Sequence, residues 1–305
     1  MPQRKSERVC DQVCGTHAIN CCGSKVQISR QGVNVLTEPL VKFCPLHASL
    51  YGSTEIDAAT VKNSVERKIK MYGFCCRNRR FDDDPMVAYG ASEMMSLWLD
   101  KGLIDCGVVV CEGAGTVLTA NGKLIQGIGA RLTGIIKTSP VKDVIEHIKE
   151  NEGAVLDEVN ARIDQVEGVK KAVDKGFKRV AVTVASFQAE AITEIRKIES
   201  VIGSEVTIFS VCNTLAKNRD VKHIAKADVA CASASKILRQ DIGSKALLQV
   251  GMTIPVYALS QKGKELILAY LASFKDKLVI FRTNSLPYDA KGKGPVLKNC
   301  RRGCC

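Results

Sequence analysis

The chain has 305 residues, 46% hydrophobic and 25% charged, enough for one sizeable core and a smaller appendage without help from disulfides. Its net charge of +12 is uneven: residues 1–80 carry +7, residues 275–305 carry +6, and the 194 residues between carry −1. The charged opening is followed by no apolar run, and no uncharged stretch reaches the roughly 20 residues of a membrane span, so a cytoplasmic, soluble protein is expected.

In chain order, a polar opening leads to short strands at 25–29 and 33–40. Val61, Val65, Ile69 and Met71 then predict a helix over 60–72, which stops near Gly73. The charged run 77–85 reads as a boundary. Beyond it the pattern alternates: helix 89–101, strand 107–111, strand 123–126, and helix 141–150 opened by Ser139-Pro140. There follow strand 178–186, a helix through Ile192, Ile195, Ile198 and Ile202, strand 206–211, helix 220–226 and strand 228–232. Helix 235–242, strand 247–259, helix 262–274 and strand 278–281 complete the series. Strands separated by single helices imply crossovers, hence an α/β, Rossmann-like core with a mainly parallel sheet and helices on both faces. The expected organisation is a Cys-rich α+β region over 1–85, this core over 86–285, and an irregular basic tail over 286–305 that forms neither helix nor strand.

Ten of the fourteen cysteines fall in the two basic ends: Cys10, Cys14, Cys21, Cys22, Cys44, Cys75 and Cys76, then Cys300, Cys304 and Cys305. In a reducing compartment such crowding points away from disulfides and towards metal ligation or thiol chemistry. Cys10, Cys14, His17, Cys21 and Cys22 can reach one centre at little loop-closure cost, and Cys44 with His47 forms a half-site. Ten sulfurs exceed the needs of one zinc, which favours one or two iron–sulfur clusters of the 4Fe-4S kind, with zinc and thiol redox chemistry as alternatives. A cationic setting suits both thiolates and anionic clusters.

A second set lies in the core. Cys111, Ser186, Cys212 and Cys231 stand at strand ends, where open α/β sheets bind their ligands. The candidate ligand-binding residues are therefore Cys111, Glu112, Gly113, Gly115, Cys212, Asn213, Thr214, Cys231 and Ser233. Two glycine runs, 112–116 and 127–134, could let backbone approach an anion, but neither completes Gly-x-Gly-x-x-Gly because Leu118 and Leu132 hold the third position. With 5% aromatic residues and no RNP-like or zinc-finger motif, nucleic acid is not an expected partner.

Six runs carry a resemblance: VAYGASEMM at 87–95, VVCEGAGTV at 109–117, QGIGARLTGIIKTSP at 126–140, SVCNT at 210–214, DVACASASK at 228–236 and SKALLQVGMTIPV at 244–256. Through them the chain resembles the methanogenesis marker protein 8 family. That resemblance implies an archaeal protein accompanying methane metabolism, a helper in the maturation or activation of methyl-coenzyme M reductase, and it brings no catalytic residues with it. The expected function is an iron–sulfur accessory protein serving a protein partner by electron or cluster transfer. The alternatives are a Rossmann-like enzyme acting on a small anionic or thiol substrate beside a structural zinc, and a basic interaction protein.

Overall fold

A computed structural model describes residues 12–288 and 294–298. The expected ligands Cys10, Cys300, Cys304 and Cys305 lie outside them.

The N-terminal region begins with β1 (Thr16–Cys21), β2 (Ser24–Ser29), β3 (Gly32–Val35) and β4 (Val41–Phe43), followed by α1 (Pro45–Tyr51) and α2 (Ala58–Tyr72). Cys22 and Gly23, at φ 52° and 77°, form the two-residue turn from β1 to β2, with Cys21 paired to Ser24. Consecutive positive φ angles match the twist of antiparallel strands, and only the glycine adopts one without strain. A capping box starts α2: Asp57 Oδ1 accepts from the Thr60 amide at 2.7 Å, and Thr60 Oγ1 accepts from the Asp57 amide at 2.8 Å. Gly73 in the left-handed conformation ends it.

The remaining elements are α3 (Ala91–Asp100), β5 (Cys106–Cys111), β6 (Gly115–Thr119), α4 (Gly122–Gly129), β7 (Gly134–Lys137), α5 (Lys142–Glu150), β8 (Gly153–Val155), α6 (Gln165–Asp174) and β9 (Arg179–Ala185). Next come α7 (Glu190–Ile202), β10 (Glu205–Val211), α8 (Asn218–Ile224), β11 (Val229–Cys231), β12 (Leu248–Val250), β13 (Val256–Ala258), α9 (Gln261–Leu271) and β14 (Val296–Leu297). An eight-stranded sheet runs β12-β13-β11-β10-β9-β5-β6-β8. Its four central strands, β11, β10, β9 and β5, are parallel, and antiparallel strands flank them on both sides. Alternation along β9 sends Val180, Val182 and Val184 to the layer holding α6, α7 and α8, and Ala181 to the layer holding α3, α4, α5 and α9. Helices therefore cover both faces, and no helix among the described residues is long and apolar enough to cross a membrane.

Strand β7 leaves this core and pairs with β1, giving a second sheet of order β3-β2-β1-β7 that crosses the expected boundary at residue 85. Ser139, expected to cap α5, instead links the two units: its Oγ accepts from the Thr16 amide at 3.0 Å and donates to the Thr16 carbonyl at 2.9 Å. Other elements also differ from the sequence reading. Residues 123–126 are helical within α4, because Asn121 Oδ1 accepts from the amides of Lys123 and Leu124 and the buried Leu124, Ile125 and Ile128 share one face. A four-residue segment with only Leu124 and Ile125 apolar fits strand and helix equally well. Residues 247–259 are a hairpin, β12 and β13, broken at Gly251 with φ 73°. The helix expected at 235–242 is present over 236–242 but wound wide, with a π-helical turn at Leu238–Ile242. Residues 278–281 form no strand, and Val279 is 91% exposed. The tail, by contrast, does contain a strand: β14 pairs antiparallel with β4, and the Lys298 amide donates to the Leu40 carbonyl.

Candidate functional site

None of the ten described cysteines is in a disulfide; nine gather in three places, and Cys106 lies apart, buried in the core. The first is the seam between the small sheet and α2. Cys21 and Cys22 occupy the tip of the β1–β2 hairpin, and Cys44 follows β4 at the start of α1. The Val41 amide donates to the Cys22 carbonyl at 3.2 Å, which binds β4 to that tip. Lys68 enters from α2, 6% exposed, with its Nζ on Thr133 Oγ1 at 2.7 Å. A hydrogen bond from the Cys22 thiol holds Cys21 at a pKa of about 6 against the opposing effect of burial; the Lys68 ammonium and the Ser64 hydroxyl assist. Cys21 is thus the more acidic thiol of the pair, favoured as the thiolate, which is the nucleophilic and ligating form. Cys22 moves far the other way, because its proton serves Cys21 and because it is buried. Burial raises Cys44 as well. His47 is 5% exposed, neither ring nitrogen has a hydrogen-bond partner, and burial followed by Lys68 lowers its pKa, so it stays neutral.

The second place is a closed interior. Cys75, Cys76 and Cys111 are 1%, 0% and 0% exposed, and Cys111 Sγ stands 3.9 Å from Glu112 Oε2. Glu112 is ion-paired with Arg79, which also donates to the carbonyls of Arg80, Gly127 and Ile128. Burial and then Glu112 push the thiols of Cys75 and Cys111 well up, so both are protonated and inert. Cys14 joins this region through its amide, which donates to the Cys75 carbonyl. His17, grouped with the cysteines in the sequence reading, has no nitrogen to offer a metal: Nε2 donates to the Cys14 carbonyl at 2.8 Å and Nδ1 meets Thr138 Oγ1 at 2.7 Å.

The third place is the C-terminal edge of the parallel strands, where Ser186, Cys212 and Cys231 do come together. Ser186 Oγ donates to the Cys212 carbonyl at 3.0 Å. Asn213 ties two strand ends: Nδ2 donates to the Cys231 carbonyl at 2.8 Å, its amide donates to Ser233 Oγ at 3.1 Å, and Oδ1 accepts from Ser210. Cys212 at φ 52° and Ser233 at φ 50° are strained, and Thr214 is half-buried in the following turn. Burial raises Cys212 to about 12, and it raises Cys231 too. Cys111, two strands away, belongs to the interior around Glu112 instead. Gly113 and Gly115 sit in the β5–β6 turn: a side chain at 115 would collide with the Ala161 carbonyl, and one at 113 would press on Val141, 3.1 Å away. The absence of a side chain at both positions is thus explained by close packing of the chain. Gly127 and Gly129 lie in α4, packed against Phe81 and Ser92. Among the described residues, no three His, Cys, Asp or Glu side chains are placed to hold a metal ion.

Residues 17–272 match a family described as an uncharacterized protein conserved in archaea, DUF2099. The chain belongs to that family. It is also 37% identical over 267 residues to the uncharacterized protein MJ0054 of Methanocaldococcus jannaschii, a similarity covering 87% of this chain and 93% of the relative. The family match takes in Cys21, Cys22 and Cys44 together with every core cysteine, whereas Cys10, Cys14, Cys300, Cys304 and Cys305 fall outside it.

Three charged residues escaped the sequence reading, namely Lys68, Arg79 and Arg131, which are 6%, 7% and 4% exposed. Lys68 had a signal: it lies seven residues after Val61 and three after Val65, on the apolar stripe of α2, where a charge calls for a partner.

Proposed function

We propose that this protein is an iron–sulfur accessory protein of methane metabolism, assisting a protein partner in the maturation or activation of methyl-coenzyme M reductase by electron or cluster transfer. The observation that carries this reading is the seam. Cys21 and Cys22 feel the buried Lys68 ammonium, Cys44 lies close enough to feel Cys21, and the Cys22 thiol and Lys68 together favour the thiolate of Cys21. Anionic thiolate clusters need such a counter-charge, and sulfur ligation suits iron–sulfur chemistry. The described residues do not close a four-sulfur set, so the proposal assigns the remaining sulfurs to the terminal cysteines Cys10, Cys300, Cys304 and Cys305. Its support is that the tail runs antiparallel along β4 from Phe43 to Leu40, so its described end reaches the strand next to the Cys22–Gly23 turn, where the Val41 amide donates to the Cys22 carbonyl. The methanogenic setting rests on the resemblance of residues 87–256 to the methanogenesis marker protein 8 family.

When bound, a cluster would supply one-electron chemistry or transferable iron and sulfide. The chain's own part is to present thiolates, balance their charge with Lys68 and hold the hairpin tip in place. Anaerobic purification with iron and acid-labile sulfide analysis and EPR tests the reading. Stoichiometric iron and sulfide are expected, and stoichiometric zinc without either overturns it.

One observation favours a second reading, in which the adjacent Cys21 and Cys22 act as a redox dithiol: one is a thiolate and the other holds its proton beside it. The core thiols Cys111, Cys212 and Cys231 are poorer nucleophiles, since burial holds all three protonated. Metal-free protein in which Cys21 and Cys22 alone cycle reversibly would favour this reading.

A further inference from the structure

A cavity beside the seam shares Lys68 with it and is otherwise built by different residues. The end of α1, the last turns of α2 and the 130–132 segment between α4 and β7 enclose about 40 Å³. A single water occupies roughly 10–15 Å³ by this measure, so the space suits about three waters or one carboxylate, phosphate or sulfate group. It is too small for a nucleotide.

Its charge is one-sided. Arg67, Lys68 and Arg131 line it, and no carboxylate does. Among the described residues, neither Arg67 nor Lys68 enters an ion pair, although Lys68 is 6% exposed; the one ion pair at the first half of α2 joins Lys62 to Glu66. Arg131 is 4% exposed, reaches Asp82 with Nη2 alone at 3.8 Å, and has a buried Nε with no acceptor. Its guanidinium is fixed over the Tyr72 ring, 3.9 Å from the centroid. Buried donors are ordinarily satisfied, so a cationic pocket with an unpaired guanidinium N–H and no carboxylate on its walls has a place for one anionic group.

We propose that this cavity binds the anionic group of a small molecule, a carboxylate, phosphate ester or sulfate ester, held by Lys68 and Arg131 with Arg67 closing the exposed side. Met71 and Met86 at the same walls offer an apolar surface to the organic part of the ligand. Arg67 is exposed, with Nε on the Met71 sulfur at 3.4 Å and its guanidinium 5.9 Å from the centroid of the Tyr51 ring, contacts weak enough to exchange for a bound anion.

The test is calorimetric titration of the full-length protein with inorganic phosphate, sulfate and acetate, at an ionic strength held constant with chloride. One saturable site per chain is expected. Preference for phosphate or sulfate would mark a phosphate or sulfate ester as the source, and preference for acetate a carboxylate. Arg67→Ala, at an exposed position that leaves the fold intact, should weaken binding roughly tenfold or more, since a charge-assisted hydrogen bond is lost. Lys62→Ala, on the same helix and away from the cavity, should leave binding unchanged. No saturable binding of any of the three anions, or equal weakening by Arg67→Ala and Lys62→Ala, overturns the proposal. Iron content plays no part in these readouts, so they separate this site from the cluster reading.

Discussion

Lys68 Nζ donates to Thr133 Oγ1 at 2.7 Å, and this bond ties α2 to the segment that leads into β7. It also holds a buried positive charge at a fixed place between the two sheets. From there the ammonium lowers the pKa of Cys21, Cys22 and Cys212 relative to what burial alone would give, and it helps keep His47 neutral. The seam is therefore an electrostatic unit as well as a packing contact.

The first prediction concerns the source of the Cys21 thiolate. Cys22 outranks Lys68 as its cause, so Cys22→Gly should raise the Cys21 titration from about 6 by more than Lys68→Met does. Glycine suits the φ of 52° at position 22, so the hairpin should survive and stability should hold or improve. The pH dependence of alkylation, resolved by mass spectrometry of the Cys21 peptide, measures both shifts. A Cys21 midpoint still near 6 in Cys22→Gly would contradict this account.

Stability should carry the same signature. Cys21 is depressed to about 6 from an ordinary 9.0, so its contribution is complete above pH 9 and is lost as pH falls through 6. The difference in Tm between the wild type and Cys21→Ser should therefore grow from pH 6 to pH 9. A difference that is flat or shrinks over that window would show that Cys21 titrates normally.

Arg79 and Glu112 form a buried ion pair, each nearly inaccessible to water, and Arg79 also satisfies three carbonyls. Removing one partner strands the other charge, so Glu112→Gln or Arg79→Met should cost about 3–5 kcal/mol in chemical denaturation. Replacing both should cost less than the sum of the two.

Much of the α/β core was legible because its signals are periodic: Val180, Val182 and Val184 alternate, and Ile192 and Ile195 recur at helical spacing. The parallel strand ends followed from that order, and with them the meeting of Ser186, Cys212 and Cys231. Other features were hidden for identifiable reasons. The β5–β6 turn at Glu112–Ala114 carries glycines that a phosphate loop would also carry, and only the chain around Ala161 decides between them. Arg79 lies in a run of charges that reads as a solvated linker until Glu112 is brought beside it. His17 has metal-ligand spacing, yet Thr138, 121 residues away, takes one of its nitrogens. The pairing of β14 with β4 depends on a partner more than 250 residues distant and on only two residues of strand.

The most direct test of the central claim is iron and acid-labile sulfide per chain, measured after anaerobic reconstitution of a variant combining Cys21→Ser, Cys22→Gly and Cys44→Ser. Cys106→Ser, which alters a cysteine buried in the core and remote from the seam, serves as the control. The account predicts iron and sulfide in the wild type and in Cys106→Ser, and their loss from the triple variant. Equal iron and sulfide in all three proteins, or none in the wild type, would contradict it.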